Sequence, residues 1–283
     1  MSKTLMELET RVYQKETNRN PLRLLRDSIR DIWRSRFLSK QLAERDIKAQ
    51  YRQSYLGILW AFLTPLATAT VWIFLNLSGT IKLTDTGMPY PLYAFSGTLL
   101  WSIITESINA PTSSTNSAKG LLSKINFPKE ALVISGIYKL LFNSMVKIIL
   151  LVIFIFLFGV GFHWSLLLLP FAILAAVMIG TMIGLFITPL GMLYTDVGKL
   201  ISMGFSFLMY VTPVVYAIPK SGIMKTVMEW NPFTPILLTT RDLLVGATPE
   251  FPGYYLFVVL LSIPLFFIAL LAYRISIPIL VEH

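Results

Sequence analysis

The sequence predicts an all-α integral membrane protein with six transmembrane helices, an N-terminal amphipathic interface helix and short outer re-entrant helices. Two observations support this fold class. The chain is 55% hydrophobic and only 14% charged, with a mean hydropathy of +0.67, whereas soluble domains carry about 25% charged residues. Its apolar residues also occur in blocks of about 20, the length that a helix needs to cross the hydrocarbon core of a bilayer.

Six apolar blocks define the predicted spans, and the basic residues orient them. The spans cover residues 56–77, 91–110, 134–160, 166–190, 200–218 and 254–275. If the N-terminus is cytosolic, the inner segments, together with Arg274 at the inner end of the sixth span, hold 18 of the 24 Lys and Arg residues. The outer segments hold 4, namely Lys82, Lys220, Lys225 and Arg241. This asymmetry agrees with the positive-inside rule, and an even number of spans then leaves both termini in the cytosol.

The chain before the first span divides into two parts. Residues 1–20 are polar, contain no apolar core of a signal peptide and are interpreted as a cytosolic tail. Residues 21–55 form the interface helix and a basic segment, and residues 56–283 form the transmembrane domain. Asn20 and Pro21 supply an N-cap and an N1 proline. Apolar residues then recur at helical spacing opposite arginines, which suits a membrane surface; packing on a soluble protein is the alternative.

The loop between the fifth and sixth spans contains a second helical pattern. Residues 219–253 are rich in Pro and Gly, yet they include the aliphatic run NPFTPILLTTRDLLV. We expect a short helix that dips into the outer leaflet, which requires its ends to be buried in protein or to face water. An exposed loop is the alternative.

Three ionisable residues lie inside the apolar blocks. A charge at the bilayer centre costs at least about 2.5 kcal/mol, so Glu106, Lys139 and Lys147 should face protein or water. Glu106 and Lys139 lie at similar depths and are a candidate ion pair, although Lys139 could instead extend to the interface. Lys147 lies deeper and is the stronger candidate for a residue of a transport pathway.

Aromatic and small residues mark two further features of the spans. The aromatic candidates for a pathway lining are Tyr93, Trp101, Phe205 and Tyr210, because flat amphipathic rings stack on sugar rings; helix packing and interfacial belts are the alternative. Every fourth residue of span four is small from Ala172 to Thr188. This stripe predicts the close approach of another helix, in the same chain or in a second copy.

The sequence lacks the motifs that ATP hydrolysis and metal binding require. There is no phosphate-binding G-x-x-x-x-G-K-[ST] loop, no H-E-x-x-H pair and no cysteine, and the histidines His163 and His283 are isolated. We therefore expect no metal and no cofactor in this chain. The net charge of +9 is concentrated near the N-terminus without any base-reading module, so anionic lipid headgroups or a phosphate-bearing substrate are expected partners, and nucleic acid is not.

Four motifs in order resemble those of ABC-2 type polysaccharide and polyol-phosphate exporter permeases, the group that includes O-antigen export permeases. They are RDIKAQYRQSYLGILW from Arg45, NSAKGLLSKINFPKE from Asn116, YTDVGKL from Tyr194 and NPFTPILLTTRDLL from Asn231. Gln50 stands where a basic residue is usual, and Thr195 replaces the usual arginine. The resemblance extends over nearly everything after residue 21.

The resemblance implies a function and a set of partners. The chain would be a homodimeric permease, not an enzyme, in the bacterial inner membrane. It would bind two copies of a separate ATPase, which holds the ATP and Mg²⁺, and would export a lipid-linked glycan such as O-antigen. ABC-2 export of teichoic acid, capsule, lipid or drug is the alternative. A membrane-embedded glycosyltransferase is the alternative from another class, but it needs clustered carboxylates, and the acids here are scattered.

Two candidate sites complete the expectations. The first is the basic collar, which would bind a substrate headgroup and consists of Arg36, Lys40, Arg45, Lys48 and Arg52. The second is the coupling segment, residues 117–129, which would contact the ATPase. Its candidate contact residues are Ser117, Leu121, Leu122, Lys124, Phe127 and Pro128.

Overall fold

The computed structural model describes residues 20–52, 54–79, 86–122, 124–125 and 127–281. The predicted tail before Asn20, the outer charge Lys82 and the isolated His283 lie outside the described residues. Eleven α-helices occur in the described part, together with three short 3₁₀ turns and no strand. The helices are α1 (Pro21–Arg34), α2 (Arg36–Arg52), α3 (Trp60–Leu77), α4 (Tyr90–Ser117), α5 (Lys119–Leu122), α6 (Glu130–Leu157), α7 (Leu169–Leu193), α8 (Thr195–Leu208), α9 (Ile223–Trp230), α10 (Phe233–Val245) and α11 (Pro252–Val281).

Four helices of the described part are long and apolar enough to cross a membrane, namely α3, α6, α7 and α11. The other two predicted spans correspond to α4 and α8. Helix α4 has 28 residues but is less apolar, because much of its surface faces other helices and not lipid. Helix α8 has 14 residues, or about 21 Å, and the 3₁₀ turn Met209–Val211 extends it.

Helix α4 is the centre of the bundle. It packs against α3, α6, α7 and α10, while α11 packs on α7. The small-residue stripe of α7 faces α4: a Cβ atom on Gly180 would collide with Ser107, and one on Gly184 would collide with the carbonyl of Ile108. The close helix approach predicted from this stripe therefore occurs within one chain.

Helix α1 begins as predicted, because the Asn20 side chain accepts a hydrogen bond from the Leu22 amide at 3.2 Å and Pro21 occupies the first turn. The side of α1 that faces the protein is mixed: Leu24 and Ser28 are buried, and Ile32 packs against an apolar cluster. Ser28 donates to Glu130 Oε1 at 2.9 Å, and Arg274 reaches Asp31 at 3.0 Å as well as Glu130. Four other large apolar side chains of the same stretch are exposed, namely Leu22, Ile29, Trp33 and Phe37.

The run NPFTPILLTTRDLLV is helical, as predicted. Asn231 Oδ1 accepts the Phe233 amide at 3.0 Å at the start of α10, and Gly246, with φ 75°, ends the helix in the left-handed conformation. Most side chains of α10 are buried, against α7, α11 and α4. The alternative of an exposed loop is wrong for this segment.

Candidate functional site

A cavity of about 700 Å³ lies among α3, α4, α6 and α8. Helix α3 forms one wall, α8 and the Met209–Val211 turn form another, and α4 and α6 contribute the remainder. The polar lining residues are spaced at helical intervals, so that each helix presents one polar face to the cavity. These residues are Thr64 and Thr68 of α3, Thr98, Ser102, Thr105 and Asn109 of α4, Asn143 of α6, and Ser202 and Ser206 of α8.

Six of the seven Ser and Thr hydroxyls of the lining, all except Thr64, donate to carbonyls of their own helices. Thr98 donates to Ala94 O at 2.9 Å, and Ser102 donates to Leu99 O at 2.7 Å. Such bonds satisfy the hydroxyl protons in an apolar surrounding and leave the oxygen lone pairs available as acceptors. The cavity can therefore accept hydrogen bonds from a hydroxylated molecule without breaking its own structure.

Glu106 and Lys147 form an ion pair in the cavity wall. The Lys147 side chain is only 7% exposed, and its Nζ contacts Glu106 Oε1. The predicted pairing of Glu106 with Lys139 is wrong, because α4 and α6 meet in the register that brings Lys147 to this carboxylate. Glu106 Oε2 is buried and has no hydrogen-bond partner among the described residues.

Lys139 lines a second, smaller cavity of about 360 Å³ among α2, α4 and α6. Gln50, Glu106, Asn109 and Asn143 line both cavities and therefore stand between them. Tyr51 Oη, at the end of α2, donates to Asn143 Oδ1 at 3.2 Å. Burial, and secondarily the nearby Glu106 carboxylate, raises the pKa of the Tyr51 phenol, so the hydroxyl keeps its proton and remains a donor.

Three of the four aromatic candidates line the larger cavity. Trp101 lies 6.5 Å from Phe205 between ring centroids, and Tyr210 lies at the end of the cavity formed by the 3₁₀ turn. The fourth, Tyr93, is buried elsewhere, with its ring 3.7 Å from the Arg241 guanidinium carbon.

All five residues of the basic collar lie on α2, and all five are exposed. Arg45 is partly engaged, since its guanidinium binds the adjacent Asp46 at 2.7 and 2.9 Å. Lys40 lies 3.9 Å from Glu44, a distance typical of a weak, solvated pair. Arg36 rests over the Trp33 ring at 5.1 Å.

The coupling segment packs on the same helix. Leu122 and Phe127 are buried with Leu42 of α2 in one apolar cluster, which Leu121 partly covers. Lys124 and Ser117 are exposed, and Pro128 is half-buried. The exposed apolar side chain of this segment is Ile125, at 53%.

Sequence reasoning missed two groups of residues. The polar faces of α3, α4 and α8 were not identified, although the recurrence of Thr, Ser and Asn every three or four residues within apolar blocks was a readable signal. Arg241 was counted only as an outer charge. It is fully buried, and no local pattern indicates that, because its partners come from distant segments.

Comparisons with known proteins identify the family of the chain. Residues 38–245 match the family model described as ABC-2 type transporter. The O-antigen export system permease protein RfbA of Myxococcus xanthus is 25% identical over 212 residues, which are 74% of this chain and 80% of that protein. A Klebsiella pneumoniae protein of the same name is 22% identical over 215 residues, which are 73% of this chain and 80% of that protein. With most of its length matched, the chain belongs to the ABC-2 type transporter family.

Proposed function

We propose that the chain is the membrane permease of an ABC exporter that moves a lipid-linked polysaccharide of the O-antigen kind across the bacterial inner membrane. The observation that carries this proposal is the cavity among the helices, which combines hydroxyl and amide groups with the aromatic rings of Trp60, Trp101, Phe205 and Tyr210. A saccharide needs both kinds of surface, hydrogen-bonding groups for its hydroxyls and flat apolar surface for its ring faces. The names of the relatives support the same substrate class.

The proposed topology has six spans, with both termini in the cytosol. Helix α4 is about 42 Å long by its 28 residues, enough to cross hydrocarbon of about 30 Å. Its moderate hydropathy is acceptable because its polar face lines the cavity and the rest packs on protein. Helix α8 with the Met209–Val211 turn forms the fifth span, and α9 and α10 form the outer re-entrant pair.

Helix α1 acts as the interface helix in this proposal. On the side that faces the protein, Ser28 contacts Glu130 and Asp31 contacts Arg274, and four large apolar side chains of the same stretch are exposed. An isolated soluble domain would not expose such a stripe, whereas the headgroup region of a bilayer would cover it. Residues 21–55 then form one unit at the inner surface, next to the transmembrane domain.

The basic collar binds the anionic headgroup of the substrate in this proposal. A lipid pyrophosphate concentrates negative charge at the inner surface, and exposed guanidinium groups bind phosphate with charge-assisted, often bidentate hydrogen bonds. The surface attraction of each basic residue is about 1 kcal/mol, so several must act together. Arg52 is the best single representative, because Arg45 already binds Asp46.

The permease works as a homodimer with two ATPase subunits, which bind the ATP and Mg²⁺ that drive transport. In one copy the larger cavity is open, and the two helices that form its opposite walls, α3 and α8, do not pack extensively on each other. A second copy placed across this opening would close the cavity into a channel. The exposed apolar side chains of α3 and α8, such as Leu63 and Met203, would then meet the partner copy.

A test of the function uses the absence of native cysteines. We expect Ser102→Cys, which places a thiol in the cavity, to lose glycan-stimulated ATP hydrolysis after labelling with a bulky maleimide in proteoliposomes that contain the ATPase and a lipid-linked oligosaccharide. The control is Leu174→Cys, an exposed position on α7 outside the cavity lining, which should keep its activity when labelled. Stimulation by a lipid or drug without any glycan, or no stimulation by lipid-linked glycan in the unlabelled protein, would contradict the proposal.

A further inference from the structure

The charge of the larger cavity indicates which glycans the permease accepts. We propose that the cavity selects a polysaccharide whose repeating units are uncharged, and that the Glu106–Lys147 ion pair sets this selectivity. This inference rests on the proposed function and specifies its substrate class. It excludes polyanionic chains, such as polyol-phosphate polymers and acidic glycans, as efficient cargo.

The first argument is the balance of charges in the wall. Glu106 and Lys147 are the only charged residues among the described residues that line the larger cavity, and they neutralise each other. Both lie far from the ends of 28-residue helices, at a depth where an anion loses much of its hydration. A polyanion would find no uncompensated cation there to replace that hydration. A second copy of the chain would add the same neutral lining.

The second argument is the exposed part of the Glu106 side chain. This side chain lines the larger cavity and is 41% exposed, although it is paired with Lys147. A carboxylate only accepts hydrogen bonds, so a sugar hydroxyl that enters the cavity can donate a proton to it. An ionised phosphate or carboxylate on the cargo has only acceptor oxygens and would repel it. The wall is therefore chemically suited to a neutral, hydroxyl-rich chain.

The third argument is where the uncompensated positive charge lies. The exposed cations Arg36, Lys48 and Arg52 belong to α2, before the first membrane-crossing helix, and none of them lines the larger cavity. Lys139 lines only the second cavity, where Asp46 and Glu106 are also present. Recognition of a pyrophosphate headgroup and passage of the sugar chain thus take place on separate surfaces. The headgroup can be anionic while the chain is not.

The test compares two lipid-linked oligosaccharides of equal length on the same lipid pyrophosphate. One contains only neutral hexoses, and the other has one hexuronic acid in every repeat. Substrate-stimulated ATP hydrolysis is measured for the wild-type permease with its ATPase in proteoliposomes of fixed lipid composition. We expect half-maximal stimulation at a concentration about tenfold lower for the neutral glycan. Equal or stronger stimulation by the acidic glycan would overturn the inference and leave the proposed function standing, whereas no stimulation by either glycan would overturn both.

Three variants test the role of the ion pair through the acidic-to-neutral ratio of these concentrations, which is insensitive to a general loss of activity. Glu106→Gln leaves Lys147 uncompensated and should shift the preference toward the acidic glycan by about tenfold. Lys147→Gln should shift it the opposite way. The double variant, Glu106→Gln with Lys147→Gln, restores a neutral wall and should restore the wild-type ratio. Ratios that do not follow the net charge of the wall would overturn the role of the pair. Should a variant fail to assemble, the wild-type comparison still decides the selectivity.

Discussion

At the residue scale, Arg241 stands out because it is a charged side chain that is fully buried. Its Nη1 donates to Pro213 O at 2.9 Å, its Nη2 donates to Val214 O at 2.6 Å, and its guanidinium stacks on the Tyr93 ring. These partners are neutral dipoles and a ring face, which stabilise a buried cation through charge-assisted hydrogen bonds and cation–π attraction. The residue thereby joins α10, the start of α4 and the segment after α8.

This environment predicts a large effect of one substitution. Arg241→Met should lower the free energy of unfolding by about 3 kcal/mol, because the carbonyls of residues 213 and 214 lose their donors in a place that water does not reach. The measurement is thermal unfolding of the purified protein in detergent, followed by tryptophan fluorescence. The control is Lys220→Met, which removes an exposed charge and should change the free energy of unfolding by less than about 0.5 kcal/mol. Equal effects of the two substitutions would refute the structural role of Arg241.

At the element scale, the close contact between α4 and α7 depends on glycines of α7, which have no side chain to separate the two helices. Gly184 of α7 lies against the Ile108 carbonyl of α4, and the hydroxyls of Thr112 and Thr188 meet at 3.0 Å one turn further along. Small residues allow this approach, and dispersion forces and interhelical hydrogen bonds then replace the hydrophobic effect that is absent between helices in lipid.

A single methyl group tests this contact. Gly184→Ala should destabilise the protein by about 1 to 3 kcal/mol, since the new Cβ overlaps backbone atoms that cannot rotate away. Gly198→Ala in α8 is the matched control, because its Cβ would meet open space and the substitution should be neutral or stabilising by up to about 1 kcal/mol. Thermal unfolding in the same detergent measures both, and a tolerated Gly184→Ala would show that the helices can separate without cost.

The structure shows which features of the fold can be predicted from local sequence patterns and which cannot. The apolar blocks, the N-cap at Asn20, the helix after Asn231 and the small face of α7 are local patterns, and all of them were predictable. The partner of Glu106 was not, because hydropathy gives only the depth of a residue in a helix. Choosing between Lys139 and Lys147, which lie two turns apart on α6, requires the rotation and register of α4 against α6, and tertiary packing alone sets those.

At the scale of the whole molecule, α2 connects the surface of the protein to its cavity. Its middle residue Leu42 packs in the cluster with Leu122 and Phe127 of the coupling segment. Its last turn places Tyr51 against Asn143 in the cavity wall. A movement imposed on the coupling segment would therefore be transmitted to α2, and through α2 to the boundary between the two cavities, because packed elements move as units.

The coupling segment also predicts where the ATPase binds. Ile125 is a large apolar side chain that is 53% exposed beside the exposed Lys124, as expected for a contact that a partner protein covers. Leu122, in the same segment, is 5% exposed, because it packs against Leu42 and Phe127 in the apolar cluster. Ile125→Cys should therefore crosslink to the ATPase with a short bifunctional thiol reagent.

Leu122→Cys is the matched control, since its thiol would be covered by α2 and should react little in the native complex. Mass spectrometry of the crosslinked product identifies the partner and the site. Because the chain has no native cysteine, every crosslink between the permease and a cysteine of the ATPase must involve the introduced thiol. Strong crosslinking from Leu122→Cys but not from Ile125→Cys would mean that the segment leaves α2 when the ATPase binds. Crosslinking only from cysteines placed on α1 would move the ATPase contact to the interface helix, and α2 would then receive its movement from the opposite direction.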